Sequence, residues 1–271
     1  MSELKNNKIY RIENSENTNY LSCLLISLFY NKNIIYSLFL DNDNIKFIYI
    51  YIQELIKNII NNLKNYYFIN SESLNYLKSV LYINNFKNIT DIIESTNTNT
   101  NIEDLYEYLY EIFDIGKIQL IDLNNSAIIS NMTYLNLECD EYNTTIKNLI
   151  KKNYSYKILN NIPKFLAFKL KRSNKEMIID IQKKITLNSI FNIENITNIT
   201  NISCSNNKNL IWQINIIICY DNETNKYFSY INYNNNWLKI SIENDNFIIP
   251  VDIKSEEHII KLKSIFLLYI L

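Results

Sequence analysis

Cysteine and histidine, the nucleophile and base of many hydrolases, are scarce in this sequence. Four cysteines are scattered along the chain and none forms a Cys-x-x-Cys pair, which argues against a zinc site or a disulfide framework and favours small buried thiols. The single histidine, His258, follows two glutamates and is expected on a solvated helix face. A thiol hydrolase needs a thiolate, a base and a group that orients the base. The spacing of the cysteines and the histidine in the sequence does not by itself indicate such a set.

Composition excludes several other classes of function. The chain has 27 basic and 28 acidic residues, so no global field attracts nucleic acid or an anionic membrane. The longest apolar run, around Leu21 to Tyr30, is too short to span a bilayer, and the first residues show no apolar signal region. The single glycine argues against a phosphate-cradling loop. We therefore expect a cytoplasmic or nuclear protein without a cofactor or metal.

The residue usage is strongly skewed. Asn, Ile, Tyr and Lys abound, whereas glycine occurs once and proline twice. We interpret this bias as the mark of an AT-rich genome, such as that of an intracellular parasite or a large virus. Turns that usually carry glycine must then use asparagine, which is the next best residue at positive φ.

The first 115 residues are predicted to be mainly helical. Apolar residues recur at helical spacing over 21–29, 45–63, 74–83 and 102–113. The Asn/Thr-rich run at 95–101 is predicted to be a loop, in which Thr100 or Asn101 caps the fourth helix.

From Gly116 onward, short alternating or β-branched runs bounded by Asn, Asp or Ser predict strands. These runs span 117–122, 127–130, 133–138, 164–171, 177–181, 210–220, 227–233, 237–242, 247–251 and 264–271, with short helices at 145–151 and 256–261. Residues 192–209 are of low complexity and are predicted to form a surface loop. The layout is α+β: a single domain over 1–271, with a helical part at 10–115 and a β-rich part at 116–271.

Two distant segments resemble the Cys box and the His box of the ubiquitin-specific protease family. The matching residues are Asn17, Thr18, Tyr20, Leu25, Leu28 and Phe29 in the first segment, and Tyr227, Phe228, Tyr230 and Trp237 in and after the second. Between and beyond them, residues 101–105, 162–172, 212–220 and 264–270 resemble further family segments in the same order. The resemblance implies a papain-like fold with a helical thumb half and an antiparallel β palm. Its fingers would be reduced and metal-free, because the region between Gly116 and Pro163 is short and lacks cysteine pairs.

The resemblance also implies that the catalytic positions are substituted. Asn19 stands at the nucleophilic cysteine, Lys226 at the histidine and Ser241 at the orienting Asp or Asn. Asn14 stands at the oxyanion-stabilising asparagine. An amide is not a nucleophile, and a protonated lysine cannot act as an imidazole base. The positions expected to bind a partner are Tyr20, Asp104, Tyr227 and Trp237.

The sequence therefore predicts an inactive deubiquitinase-like protein, a pseudoenzyme that binds or scaffolds within a larger complex. Inactive relatives occur in the spliceosomal tri-snRNP and the poly(A)-nuclease complex, and active ones dock on the proteasome and on chromatin-modifying complexes. Any of these assemblies is a plausible setting, and ubiquitin is a possible partner.

Three alternatives stay open at this point. The chain is a reader of ubiquitin or a ubiquitin-like protein, or a thiol hydrolase that uses Cys23, one turn into the first helix, where its side chain should be buried. The third alternative is a lineage-specific globular protein with no link to ubiquitin. A fold without a helix start near Asn19 that faces the strand of Lys226 would favour the last.

Overall fold

The computed structural model describes residues 10–13, 18–30, 46–84, 86, 102–122, 129–155, 157–159, 161–186, 210–241 and 248–271. Within these ranges the fold is mixed α+β. The helices are α1 (Asn19–Phe29), α2 (Phe47–Tyr66), α3 (Ser71–Ile83), α4 (Ile102–Ile112), α5 (Ile146–Asn153) and α6 (Glu257–Lys263). The strands are β1 (Arg11–Ile12), β2 (Phe68–Ile69), β3 (Ile118–Asp122), β4 (Ile129–Met132), β5 (Leu135–Cys139), β6 (Thr144–Thr145), β7 (Lys157–Leu159), β8 (Phe165–Arg172), β9 (Ile179–Asp180), β10 (Lys184–Thr186), β11 (Ile211–Asp221), β12 (Lys226–Tyr233), β13 (Asn236–Ile240), β14 (Ile248–Val251) and β15 (Ser264–Ile270). Most of the strand pairs are antiparallel.

The chain divides into two compact units. Unit 1 comprises Met1–Ile115 and Tyr220–Asp252, and unit 2 comprises Gly116–Cys219 and Ile253–Leu271. The boundary after Ile115 coincides with the change of sequence pattern from helix to strand. Residues 220–252, however, belong to the same unit as the first four helices, although their own pattern is that of strands.

Helix α1 is the core helix of unit 1. Every residue from Tyr20 to Phe29 is buried. A helix that is apolar on all sides can only be stable when other elements surround it. Helix α2 instead buries a single face, and its buried residues recur at helical spacing: Ile52, Ile56, Ile59, Ile60 and Leu63.

Strands β12, β13 and β14 form an antiparallel meander in unit 1. Strands β12 and β13 are joined by the two-residue turn Asn234–Asn235, with φ values of 51° and 64°. Positive φ at both positions is the geometry that matches the twist of a hairpin, and it usually requires glycine or asparagine. Four of the six described non-glycine residues at positive φ are asparagines, which confirms that asparagine replaces glycine in these turns.

Strand β8 lies next to the edge strand β5 in the sheet of unit 2. It pairs with β15 in the antiparallel sense and with β5 in the parallel sense, and β11 pairs with β15 and β10. Strand β3 forms a separate sheet with β4 and β7. The fully buried indole of Trp212 donates to the carbonyl of Pro163 at 2.8 Å, which fixes the chain where it enters β8.

Arg172, at the end of β8, hydrogen-bonds to several segments of unit 2 near the C-terminus of α6. Its guanidinium donates to the carbonyls of Met177 (3.1 Å) and Lys261 (2.9 Å), and to both the carbonyl and the hydroxyl of Ser264. The last carbonyls of a helix have no partners within the helix, and a cation there also meets the negative end of the helix dipole. Burial lowers the pKa of Arg172.

The predicted long elements are confirmed, including all four helices of the first 115 residues and the strands that became β3, β5, β8 and β11 to β15. Strands β1, β2, β6, β7 and β10 were not predicted, because two or three residues are too few to show an alternation. The predicted loops at 95–101 and 192–209, the cap at residues 100–101 and Cys204 lie outside the described residues. Among the residues that the structure describes, no helix is both long enough and apolar enough to cross a membrane.

Candidate functional site

Asn19 and the backbone of Tyr227 form a double hydrogen bond. The Asn19 Oδ1 accepts from the Tyr227 N–H at 2.5 Å, and the Asn19 Nδ2 donates to the Tyr227 carbonyl at 3.1 Å. A side-chain amide is planar and carries a donor and an acceptor side by side, as a peptide group does. Asn19 therefore pairs with Tyr227 much as a residue of a neighbouring strand would. We call this contact the amide clasp.

The start of α1 presents Asn19 to strand β12. Thr18, fully buried, precedes the helix, and its carbonyl accepts the first helical bond from Ser22 at 3.0 Å. The Ser22 hydroxyl donates to the Asn19 carbonyl at 3.1 Å. Because the residues after Asn19 are apolar and buried on all sides, the helix cannot rotate without exposing its core. The Asn19 side chain is consequently held against β12.

A second polar contact joins the same two elements, about two turns further along α1. The hydroxyls of Ser27 and Ser229 lie 2.6 Å apart, and the Ser27 hydroxyl donates to the Cys23 carbonyl at 2.7 Å. Both serines are almost fully buried. The Ser229 hydroxyl therefore donates to Ser27, whose own proton is used on the helix. Neither serine was singled out by the sequence, because only the fold brings them together.

Cys23 lies beneath the clasp and is fully buried, as the sequence predicted. Burial raises the pKa of its thiol to about 12, although the neighbouring hydroxyls of Ser229 and Ser27 act in the opposite direction. The thiolate is the reactive form of cysteine, so this side chain is an inert thiol near neutral pH.

The surroundings of Tyr227 carry negative charge. Burial, followed by the nearby carboxylate of Glu103, raises the pKa of the Tyr227 hydroxyl, and Asp104 contributes in the same direction. Both acidic residues lie in the first turn of α4. The rings of Tyr227 and Tyr220 pack at a centroid distance of 4.8 Å. An anionic group formed at this place would be disfavoured by both burial and repulsion.

The structure brings three of the four predicted catalytic positions to one end of the β12–β13 hairpin. Lys226 is adjacent to Tyr227, which bonds Asn19. Ser241 directly follows Ile240, which pairs with Ser229 near the same end. Asn14 lies outside the described residues. A helix start near Asn19 does face the strand of Lys226, so the criterion for an unrelated fold is not met.

The predicted binding positions are spread more widely. Tyr227 belongs to the clasp and Asp104 is half-buried near it, whereas Tyr20 is buried in the core. Trp237 pairs with Asn232 at the far end of the hairpin. Five residues of strand separate Asn232 from Tyr227, which corresponds to about 17 Å.

Asn225, the residue before Lys226, has a φ of 55°. The family pattern has glycine before its histidine, and glycine adopts this conformation most easily. An asparagine in the same conformation preserves the turn that leads into β12.

The remaining candidates lie elsewhere. His258 is exposed on α6 in unit 2, in agreement with the solvated helix position that the sequence predicted. Throughout the ranges that the structure describes, no three His, Cys, Asp or Glu side chains lie close enough to hold a metal ion.

Comparison with known proteins finds similarity in structure and not in sequence. No family model matches the sequence, and no curated protein matches it. A structure of the SAGA DUB module with Ubp8, Sgf11, Sus1 and Sgf73, bound to monoubiquitin, matches with a TM-score of 0.66 at 11% identity, over 97% of this chain and 69% of that chain. The module bound to ubiquitin aldehyde matches with a TM-score of 0.67 at 11% identity, over the same shares of the two chains. A structure of the yeast module matches with a TM-score of 0.54 at 13% identity, over 94% of this chain and 64% of that chain.

These similarities support a fold like that of a ubiquitin-specific protease. An identity of 11% to 13% carries information on the fold alone.

Proposed function

We propose that this protein is a catalytically inactive, deubiquitinase-like domain that binds other proteins as a subunit of a larger complex. The observation that carries the proposal is the amide clasp. At the position where the family holds its nucleophile, this chain has a side chain whose donor and acceptor are both bonded to the Tyr227 backbone, at 3.1 and 2.5 Å. The clasp joins two elements of the fold and contains no nucleophile.

The surroundings of the clasp support inactivity. Lys226 stands where the family has its imidazole base, and an ammonium group cannot accept a proton from a nucleophile. The carboxylates near Tyr227 would also raise the pKa of a thiol placed there. Cys23 lies one helical turn after Asn19 on α1, but its burial and its pKa of about 12 oppose attack on a substrate.

The similarity of fold supports a role in an assembly. The helices of unit 1 and the sheet of unit 2 would correspond to the thumb and the palm of the family. The matching structures belong to a module that contains four proteins, so a chain of this fold is known to work beside other subunits. We propose an assembly of the chromatin, proteasome or spliceosome type, in the nucleus or the cytoplasm.

Native purification of the tagged chain, followed by mass spectrometry, tests the proposed role. A defined set of partners at fixed stoichiometry is expected. In parallel, hydrolysis of a ubiquitin fused at its C-terminus to a fluorogenic amine is expected to equal the buffer blank. Turnover that disappears in a Cys23→Ala variant would contradict the proposal, and so would a chain that is isolated without any partner.

A ubiquitin reader is the second candidate, because two of the matching structures contain ubiquitin or ubiquitin aldehyde. Titration of ¹⁵N-labelled ubiquitin with the chain, followed by NMR, distinguishes the two roles. A scaffold leaves the ubiquitin resonances unchanged. A reader shifts a contiguous patch of them, and a Trp237→Ala variant, altered at a half-buried position on β13, then weakens the shift.

A further inference from the structure

The two units carry opposite charge, although the whole chain is nearly neutral. Unit 1 contains 11 basic and 19 acidic residues, a formal net charge of −8, whereas unit 2 contains 16 basic and 9 acidic residues, a net charge of +7. The expectation of no nucleic-acid binding rests on the sum over the whole chain. A partner touches one surface and responds to the charge of that surface within about 10 Å at physiological salt.

The excess positive charge of unit 2 is concentrated in part around Gln182. Its side-chain oxygen accepts from the backbone N–H of Lys147 at 3.3 Å, so the start of α5 lies beside the segment that leads into β10. Lys183 and Lys184 directly follow Gln182, and Lys151 lies one helical turn after Lys147. We call these four residues, Lys147, Lys151, Lys183 and Lys184, the lysine surface.

The four lysines differ in their partners from three other lysines of unit 2, Lys152, Lys171 and Lys261. All four are exposed, and none makes an ion pair within the part of the chain that the structure describes. By contrast, Lys152 bonds Asp140 and Glu141, and Lys171 bonds Glu138. Lys261 bonds Asp180 and Glu257. The charge of the lysine surface is therefore available to a partner, whereas that of Lys152, Lys171 and Lys261 is largely compensated.

We propose that the lysine surface binds the phosphate backbone of a nucleic acid. Protein–protein interfaces are rich in aromatic residues and arginine and poor in lysine. The lysine surface has no arginine, and the only arginine of unit 2, Arg172, is engaged with backbone carbonyls. Clustered ammonium groups suit phosphates, whose condensed counterions are released on binding. Contacts between ammonium groups and phosphates carry no sequence information, so the binding is independent of sequence.

Fluorescence anisotropy with the full chain tests the proposal. The probes are a labelled 20-nucleotide RNA of mixed sequence and its scrambled counterpart, at 50, 100 and 200 mM NaCl. Both RNAs should bind equally well. With four phosphates neutralised, the logarithm of the affinity should fall with the logarithm of salt concentration with a slope of about −3.

A pair of double variants locates the binding surface. Lys183→Ala/Lys184→Ala should weaken binding at 100 mM NaCl by about tenfold and make the slope shallower by about 1.5. Lys46→Ala/Lys57→Ala, at two exposed lysines of unit 1, changes the net charge equally and should leave binding within about twofold. Thermal melting of each variant verifies that it is folded. Equal weakening by both double variants, no binding to either RNA at 50 mM NaCl, or binding to phosphatidylserine vesicles without binding to RNA would each overturn the proposal.

Discussion

Units 1 and 2 use their buried polar groups in different ways. In unit 1 they are neutral and join α1 to β12: the Asn19 amide pairs with a peptide group, and the Ser27 hydroxyl with that of Ser229. In unit 2 the main example is cationic, because Arg172 gathers carbonyls around the end of α6. Neutral hydrogen bonds therefore hold α1 against β12, in the region that we propose corresponds to the catalytic centre of the family.

The largest expected effect is a loss of stability at high pH that is greater in unit 1 than in unit 2, where burial raises the pKa of fewer groups: Cys139, Tyr154 and Tyr269. Burial raises the pKa of Cys23 from 9.0 to about 12, and also raises the pKa of Tyr30, Tyr106, Tyr110 and Tyr227 above the usual value of 10. Between the unfolded and folded pKa values, the unfolded chain has released a proton that the folded chain retains. Stability therefore falls as pH rises, by about 1.4 kcal/mol per pH unit for each such group.

By pH 10.5 Cys23 alone should cost unit 1 roughly 2 kcal/mol, and the tyrosines add to this. Trp237 lies in unit 1 and Trp212 in unit 2, so ¹⁹F NMR of chain labelled with 5-fluorotryptophan monitors each unit separately. The Trp237 signal should reach its unfolded position at a lower pH than the Trp212 signal. If the Trp212 signal reached its unfolded position first, or if both signals did so at the same pH, unit 1 would not be the more sensitive unit at high pH.

Loss of Arg172 should be the most damaging single change among these polar groups. Arg172→Leu leaves buried carbonyls without their donor, and we expect it to lower the free energy of unfolding by about 3 kcal/mol, measured by urea denaturation. Arg172→Lys should recover less than half, because one ammonium group cannot reach acceptors on three residues. Lys171→Leu is the control: its exposed pair with Glu138 spans 3.4 Å, and the change should stay within about 0.5 kcal/mol. If Arg172→Lys restored the full free energy of unfolding, the positive charge, and not the several hydrogen bonds of the guanidinium, would account for the stabilisation.

Breaking the amide clasp should have a somewhat smaller effect. Asn19→Ala removes both bonds to Tyr227 and should cost about 2 kcal/mol in the same measurement. Asn19→Asp should fall between the wild type and alanine, because a carboxylate accepts from the Tyr227 N–H but repels its carbonyl. Asn58→Ala, at an exposed position on α2, should change the stability by no more than about 0.5 kcal/mol. If Asn19→Ala is as mild as Asn58→Ala, the clasp is not structural.

The hairpin turn should give the smallest effect, in the opposite direction. Asn235 has a φ of 64°, and Asn-Gly is the preferred sequence for this two-residue turn. Asn235→Gly should therefore stabilise unit 1 by about 0.5 kcal/mol, and Asn235→Ala should destabilise it by about 1 kcal/mol. Comparison of the urea midpoints measures both changes. If Asn235→Gly lowered the stability, the contacts of the asparagine side chain would contribute more than the ease with which glycine adopts a positive φ.

The sequence predicted the long elements because their apolar spacing reports burial directly. It also placed Asn19, on α1, opposite the strand of Lys226, through the order of matched segments. It did not predict the amide clasp, since the partner of Asn19 is a backbone group and any residue type at position 227 supplies one. The Ser27–Ser229 hydrogen bond was not predicted either, because two serines 202 positions apart share no sequence pattern.

The distribution of charge could not be predicted, for a different reason. The whole-chain totals of 27 basic and 28 acidic residues are correct, yet neither unit is neutral. Unit 1 combines the first 115 residues with Tyr220–Asp252, so its composition cannot be counted until the fold is known. The net charge summed over the whole sequence is near zero because the opposite net charges of the two units cancel.

Covalent capture is the most direct test of the claim that the nucleophile has been replaced by a structural bond. The folded chain is incubated at pH 7.5 with ubiquitin that carries an electrophilic alkyne at its C-terminus, and intact mass spectrometry follows the product. An active deubiquitinase serves as the positive control, and iodoacetamide labelling of the chain in urea verifies that its thiols are reduced. We predict no adduct on the folded chain. A ubiquitin adduct mapped to Cys23 would contradict the account, because it would place a reactive thiolate at a position that the structure buries completely.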